Sequence, residues 1–228
     1  SLLNHYEGIA RFFRARFYMD MVKRYSDVPW YDKTLGTGDA DLYKARDPRT
    51  FVVDRIFEDY EFARQHVQDD SRTGAVDKWV VLAYMARHAL HEGTFRKYHT
   101  ELALEGTANT YLSIARDVSK QIIDEGGFSI HNTGNPLEDY GSLFNSTDLE
   151  GEGEIILGTF SETDVRNSGW WGYMFGNYEV NPSKDLLQAY LMDDGTPYTD
   201  QAGYQTKLFV EEFENRDPRA YQTYAYPG

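Results

Sequence analysis

Between Tyr6 and Glu125 the chain sets apolar residues three and four positions apart in four successive stretches. That spacing builds one face of an α-helix, whereas a strand alternates every second residue. The first stretch, about Tyr6 to Tyr25, has Ile9, Phe12, Phe13, Phe17, Met21 and Tyr25 as its expected buried stripe. Asp27-Val28-Pro29 ends it, because proline cannot donate to the helical ladder and restricts the residue before it. The second begins where Asp47 can cap and Pro48 can take the first helical position; Val53, Ile56, Phe57, Tyr60, Ala63 and Val67 form its stripe. The third starts near Asp77 and presents Val80, Ala83, Ala86, Arg87 and Leu90 before Gly93, with small residues that suit close helix contact. The fourth, about Asn109 to Glu125, aligns Leu112, Ala115, Val118 and Ile122 and stops at Gly126-Gly127. All four are expected to pack as two antiparallel pairs.

Helix pairs joined by turns, with alanine at the contacts, are the material of tetratricopeptide-like solenoids, although no clean repeat period is present here. After Gly127 the pattern changes. Phe128-Ser129-Ile130 and Glu154 to Phe160 read as short strands between loops, and a short helix is expected over Ser183 to Tyr190. The fold expected is mainly α. A tetratricopeptide-like helical repeat scaffold (about residues 5–126) carries an irregular, loop-rich, ligand-facing layer with few short strands (about 127–228), within one partial domain spanning 1–228. Ser1 opens almost directly onto a helix and the final YAYPG closes no element, so the sequence reads as an excerpt whose targeting signal lies outside it.

Charge narrows the partners. With 23 Lys+Arg against 37 Asp+Glu the net charge is −14, which a nucleic acid backbone or an anionic leaflet would repel. Hydrophobic residues make up 41% and aromatic ones 15%, too much apolar surface for a disordered chain. Cysteine is absent, which removes disulfides, thiolate metal sites and a cysteine nucleophile. The longest apolar run, Trp79 to Ala86, falls far short of the ~20 residues a spanning helix needs.

Motifs for chemistry are few. GTGDAD and GEGE lack the third glycine of a dinucleotide loop, and neither a Walker lysine pattern, a G-x-S-x-G elbow nor an H-E-x-x-H pair occurs. His88 and His91 share a helical face beside Glu92, but no further ligand is evident, and packed histidines are the simpler reading. Asp193-Asp194-Gly195 lacks the alternation of a calcium loop and reads as a turn. No catalytic residue, metal ligand or cofactor is assigned. Two carboxylates for glycoside hydrolysis would meet only in space, so a hydrolase fragment stays open as an alternative.

The segment Trp170 to Tyr178, WWGYMFGNY, stands apart: five of its nine residues are aromatic, with Gly172 and Gly176 between them. Aromatic faces beside polar groups suit sugar rings, whose C–H faces stack while hydroxyls hydrogen-bond; they also suit a protein partner, or fold inward to cap helices. Trp170, Trp171 and Tyr173 are the expected ligand-facing rings and Asn177 a hydroxyl partner. Trp79 is expected to pack in helix three, and Trp30 to cover the end of helix one.

Six phrases in order resemble the SusD/RagB family of surface glycan-binding lipoproteins of Bacteroidetes. They are GIARFFRARFYMDMVKRYSDVPWY from Gly8, with Ser26 where the family usually has Gly; KARDPRTFVVDRIFEDYEFARQHV from Lys44; WVVLAYMARHALHEGTFRKYH from Trp79, with His91 where Tyr is common; LFNSTDLEGEGEIILGTFS; NPSKDLLQAYLMDDGTP; and FENRDPRAYQTYAYPG. The likeness covers nearly the whole chain but only a central part of a typical member. It implies a helical scaffold without catalysis, capture of oligosaccharide or polysaccharide at the cell surface, and delivery to a SusC-like TonB-dependent transporter. It also implies attachment to the outer membrane through an N-terminal lipid that this sequence lacks. A tetratricopeptide-type scaffold whose only ligand is protein is the alternative.

Overall fold

The computed structural model describes residues 1–70, 74–159, 161, 165 and 182–225. The chain divides into two compact units, Ser1–Phe128 and Ser129–Gly228. The fold is mainly α-helical and multi-helix, consistent with a helical-repeat scaffold.

Unit one is built from α1 (Leu2–Tyr25), α2 (Arg49–His66), α3 (Lys78–Tyr98) and α4 (Ala108–Glu125). α1 starts earlier than the periodicity predicts because the Ser1 hydroxyl accepts from the Asn4 N–H and caps it. α1 pairs with α2 and α3 with α4, each antiparallel. Gly8 near the start of α1 meets Ala63 and Val67 at the end of α2, while Arg49 at the start of α2 donates to the Val22 carbonyl near the end of α1. In the second pair Gly93 lies against Leu112, and Lys78 at the start of α3 reaches Glu125 at the end of α4.

The buried face of α1 is rotated from the expected stripe. Phe12, Ala15, Tyr18, Met19 and Val22 are buried, whereas Phe13, Phe17 and Tyr25 stand 48%, 60% and 52% exposed. The reason is steric and electrostatic together. Gly8 and Ala15 let α2 approach closely; a Cβ on Gly8 would stand 2.8 Å from Val67 Cγ2. Arg14 then grips the buried Asp59 with two bonds of 2.7 Å. α2 keeps its expected stripe except that Phe57 is half-buried and Val52 joins the core. Its cap differs: Asp27, not Asp47, accepts the Arg49 N–H at 2.8 Å, and the Asp47 carboxylate accepts the Trp30 N–H instead. α3 runs through Gly93 to Tyr98 and is buried on most sides, with Leu90 and Arg87 left outside. Gly93 therefore serves contact rather than termination: a Cβ there would lie 2.7 Å from the Leu112 side chain and 3.0 Å from its backbone N. Trp30 is buried with its ring 4.3 Å from Tyr18, covering the end of α1, and Trp79 packs in α3.

Ser26, just past α1, holds φ 61° and ψ −82°. That is a strained backbone for a residue with a Cβ, and it accounts physically for a position where the resembling family favours glycine.

At the centre of unit one lies a buried ion cluster. The Glu92 carboxylate, fully buried, accepts from Arg49 Nη2 at 2.6 Å and from Arg96 Nε at 2.7 Å. Arg49 lies 3.8 Å over the Phe95 ring and Arg96 4.4 Å over Tyr111. One anion thus joins α2 and α3, and Arg96 carries the contact on to α4.

Unit two holds the short helices α5 (Asp139–Asn145), α6 (Lys184–Ala189) and α7 (Pro218–Thr223) among turns. The two expected strands do not form: among the described residues there are only isolated bridges. Ser129 N–H does bond the Gly153 carbonyl at 3.0 Å, but the next donor, His131 N–H, goes to the Glu154 side chain at 2.7 Å. A carboxylate takes the place of the ladder, and pairing stops there. Cohesion comes from Arg216, 2% exposed, whose guanidinium donates to the carbonyls of Leu187, Tyr190, Leu191 and Glu212 and lies 4.1 Å over Tyr198.

Candidate functional site

Unit two encloses a cavity of about 480 Å³ between the 130–154 segment and α7. Gln222 on α7 positions its walls. The side-chain amide accepts the Gly141 N–H at 2.7 Å and donates to the Pro136 carbonyl at 2.9 Å, clamping the turn before α5 to α7. The apolar side of the cavity is Ile130, Tyr140 and Leu143, with Ile130 82% exposed. The polar side is His131, Asn132, Asp139, Glu154, Asp217 and Arg219.

Most of these polar groups are held in place by hydrogen bonds within the unit. Arg219 donates Nε and Nη2 to the Asp217 carboxylate, and that bond holds the Asp217 carboxyl below its usual range. Asp139 is lowered in the same way by its hydrogen bond from the Thr133 hydroxyl. His131 Nδ1 lies 3.0 Å from Glu152. Glu154 spends one oxygen on the His131 N–H, and Asn132 spends its carbonyl on the Gly134 N–H at 2.8 Å. The Tyr140 hydroxyl is raised, chiefly by burial. Planar carboxylate, amide and guanidinium edges beside exposed apolar faces are the donor set that ring hydroxyls and C–H faces require.

A second groove, of about 530 Å³ in unit one, is lined by Arg11, Arg14 and Arg55, but each has its own acid: Glu7 at 2.7 Å, Asp59 at 2.7 Å and Glu58 at 2.6 Å. Its charges are engaged in packing. His88, one of the two candidate metal-face histidines, is buried with Nδ1 2.7 Å from the Tyr60 hydroxyl. Burial, with Lys23 and other nearby cations adding to it, pushes the imidazole down to about 3. Among the described residues no group of three or more His, Asp or Glu is placed to hold a metal ion. Asp194 turns its carboxylate onto the Thr196 N–H and hydroxyl, as a turn residue does. Trp170, Trp171, Tyr173 and Asn177, the sequence-based ligand candidates, lie outside the described residues.

A sequence profile of the SusD family matches residues 146–228. Over this part, the chain is similar to the SusD family. The SusD likeness extends to the backbone of nearly the whole chain. A crystal structure of a SusD-like protein from Bacteroides fragilis is similar with TM-score 0.67 at 23% identity, over 96% of this chain and 42% of that one. A SusD-like carbohydrate binding protein from the same organism gives TM-score 0.70 at 20% identity, over 94% of this chain and 39% of its own. The chain therefore spans about two fifths of the length of these SusD-like structures. None of the curated proteins matches it.

The residues of the unit-two cavity were not singled out by sequence. Ile130 and Asn132 sit in a loop, Tyr140 in α5 and Arg219 far along the chain, and no spacing announces their meeting. The nearest available signal was the phrase FENRDPRAYQT, which contains Arg216, Asp217, Arg219 and Gln222 together.

Proposed function

We propose that the protein captures oligosaccharide or polysaccharide at the bacterial cell surface without catalysis and delivers it to a SusC-like TonB-dependent transporter. The observation that carries this reading is the SusD-family match over 146–228. The chemistry of the unit-two cavity supports it, since its apolar wall and polar edge suit a sugar ring. In this reading both units belong to one SusD-like domain with a tetratricopeptide-like scaffold. The parent chain sits on the outer face of the outer membrane through an N-terminal lipid outside this sequence. Trp170, Trp171, Tyr173 and Asn177 enter the proposal as further ligand contacts on their chemistry alone.

Stacked rings contribute on the order of 1 kcal/mol each beyond burial, and a flexible glycan loses entropy on binding. The expected dissociation constant is about micromolar to millimolar. A panel of polysaccharides incubated with the protein tests the reading: retention with no new reducing ends supports it. Release of shorter sugars would indicate a hydrolase, and retention of no glycan would leave the protein-binding scaffold.

A further inference from the structure

Unit two holds a second cavity, of about 500 Å³, that opens beside α6 and is lined by Lys184, Lys207, Phe209, Glu212 and Tyr224. Its electrostatics run against the rest of the chain. Glu212 is buried at 2% exposure and its carboxylate is matched by Lys184 at 2.8 Å. The nearby Glu211 turns its carboxylate onto the Leu208 N–H at 2.7 Å. Lys207 forms no ion pair among the described residues; its ammonium lies 5.5 Å from the Tyr198 ring centroid. Among the described residues, one lysine of this cavity thus lacks an acid partner, on a chain of net charge −14.

Two further features give that cation a context. The Tyr224 side chain lines the same cavity, its hydroxyl buried and without a hydrogen-bond partner among the described residues. Phe209 stands 54% exposed at the rim, an open ring face of the kind on which a pyranose stacks. A cation and an exposed aromatic ring in one cavity match a sugar that carries a carboxylate.

We infer that this cavity binds the uronate residue of an acidic glycan, its carboxylate on Lys207 and its ring against Phe209. The inference rests on the glycan-binding reading and names a substrate class for it.

The test titrates the protein with oligogalacturonate and oligoglucuronate and with the fully methyl-esterified form of each, which keeps the ring and removes the charge. Binding is followed by calorimetry at low and at high salt. At low salt the acids are expected to bind at least tenfold more tightly than their esters. High salt and Lys207→Gln should each erase that ratio, and Phe209→Ala should weaken acid and ester alike by a few-fold. Lys120→Gln, on the exposed face of α4, should change nothing. Lys207 rather than Lys184 is substituted because loss of Lys184 would strand the buried Glu212. Esters that bind as tightly as the acids overturn the inference and leave the glycan reading standing, as does a ratio unmoved by Lys207→Gln. Acetate that displaces the oligouronates at equal concentration also overturns it, by reducing the cavity to a general anion site. Failure of every saccharide, charged or neutral, overturns both.

Discussion

Replacing Glu92 with alanine isolates the energetics of the unit-one core. The carboxylate is 0% exposed, Arg49 is 5% and Arg96 3% exposed, and both guanidiniums point their donors at it. Arg96 already has one nitrogen, Nη2, with no partner among the described residues, so little spare capacity exists to absorb the loss. Removing one partner of a buried ion cluster costs about 3–5 kcal/mol, because the remaining charges stay desolvated. For a unit of this size 1 kcal/mol moves the thermal midpoint by roughly 3–5 °C, so the shift should be on the order of 10–20 °C. Ellipticity at 222 nm reports it, since the four long helices all belong to unit one. Glu92→Gln, which keeps an acceptor for one arginine, should lose less. The variant with Arg49 and Arg96 changed to Met and Glu92 to Leu should recover most of the loss, because apolar residues of similar volume need no solvation. A Glu92→Ala loss below about 1 kcal/mol would show that the guanidiniums reach water, and the argument from burial would fail. A triple variant as unstable as Glu92→Ala would refute the claim that unpaired charge is the cause.

Ser26→Gly should stabilise the protein by about 1 kcal/mol in urea melts, by releasing the strained turn after α1; a loss would mean that the hydroxyl matters more than the backbone. Gly93→Ala should destabilise by about 1–3 kcal/mol, since its Cβ would press on Leu112, and a neutral result would show that α4 yields. His88 stays neutral in the fold to about pH 3 but takes a proton near pH 6.5 when unfolded, so stability should fall as pH drops from 6.5 toward 3. The slope attributable to this one group is about 1.4 kcal/mol per pH unit, and His88→Gln should flatten the profile over that window. Trp170 and Trp171 together changed to Ala should abolish glycan retention with the thermal midpoint nearly unchanged; unfolding instead would assign those rings to the core.

The helices were legible because each buries a long periodic face, and their number, order and pairing follow from that. The phase of α1 was not. Its sequence offers two apolar faces, and the choice between them rests on Gly8 and Ala15 against α2 and on Arg14 reaching Asp59, contacts that no single helix encodes. The cap of α2 escaped for the same reason: Asp27 lies well before the helix in sequence, while Asp47 is adjacent and is drawn off by the Trp30 N–H. In unit two the EIIL run has strand composition, but Glu154 at its head supplies a side-chain acceptor where a neighbouring backbone was needed. The cavity residues are polar, scattered and individually ordinary, so only the fold, through the Gln222 clamp, brings them together.

Arg216 gathers its carbonyls from Leu187, Tyr190 and Leu191 at the end of α6 and from Glu212 in a turn far along the chain, where two stretches meet. Because main-chain oxygens are what it recognises, it places no demand on the side chains of the loops it ties. A sheet would have imposed alternation and register on every residue between its turns; a single guanidinium imposes neither. Loop tips anchored this way are free to change length and composition while their bases stay fixed. Change in these loops then needs no redesign of the framework, provided one arginine is kept, and lysine, with three donors on a point charge, could not replace it.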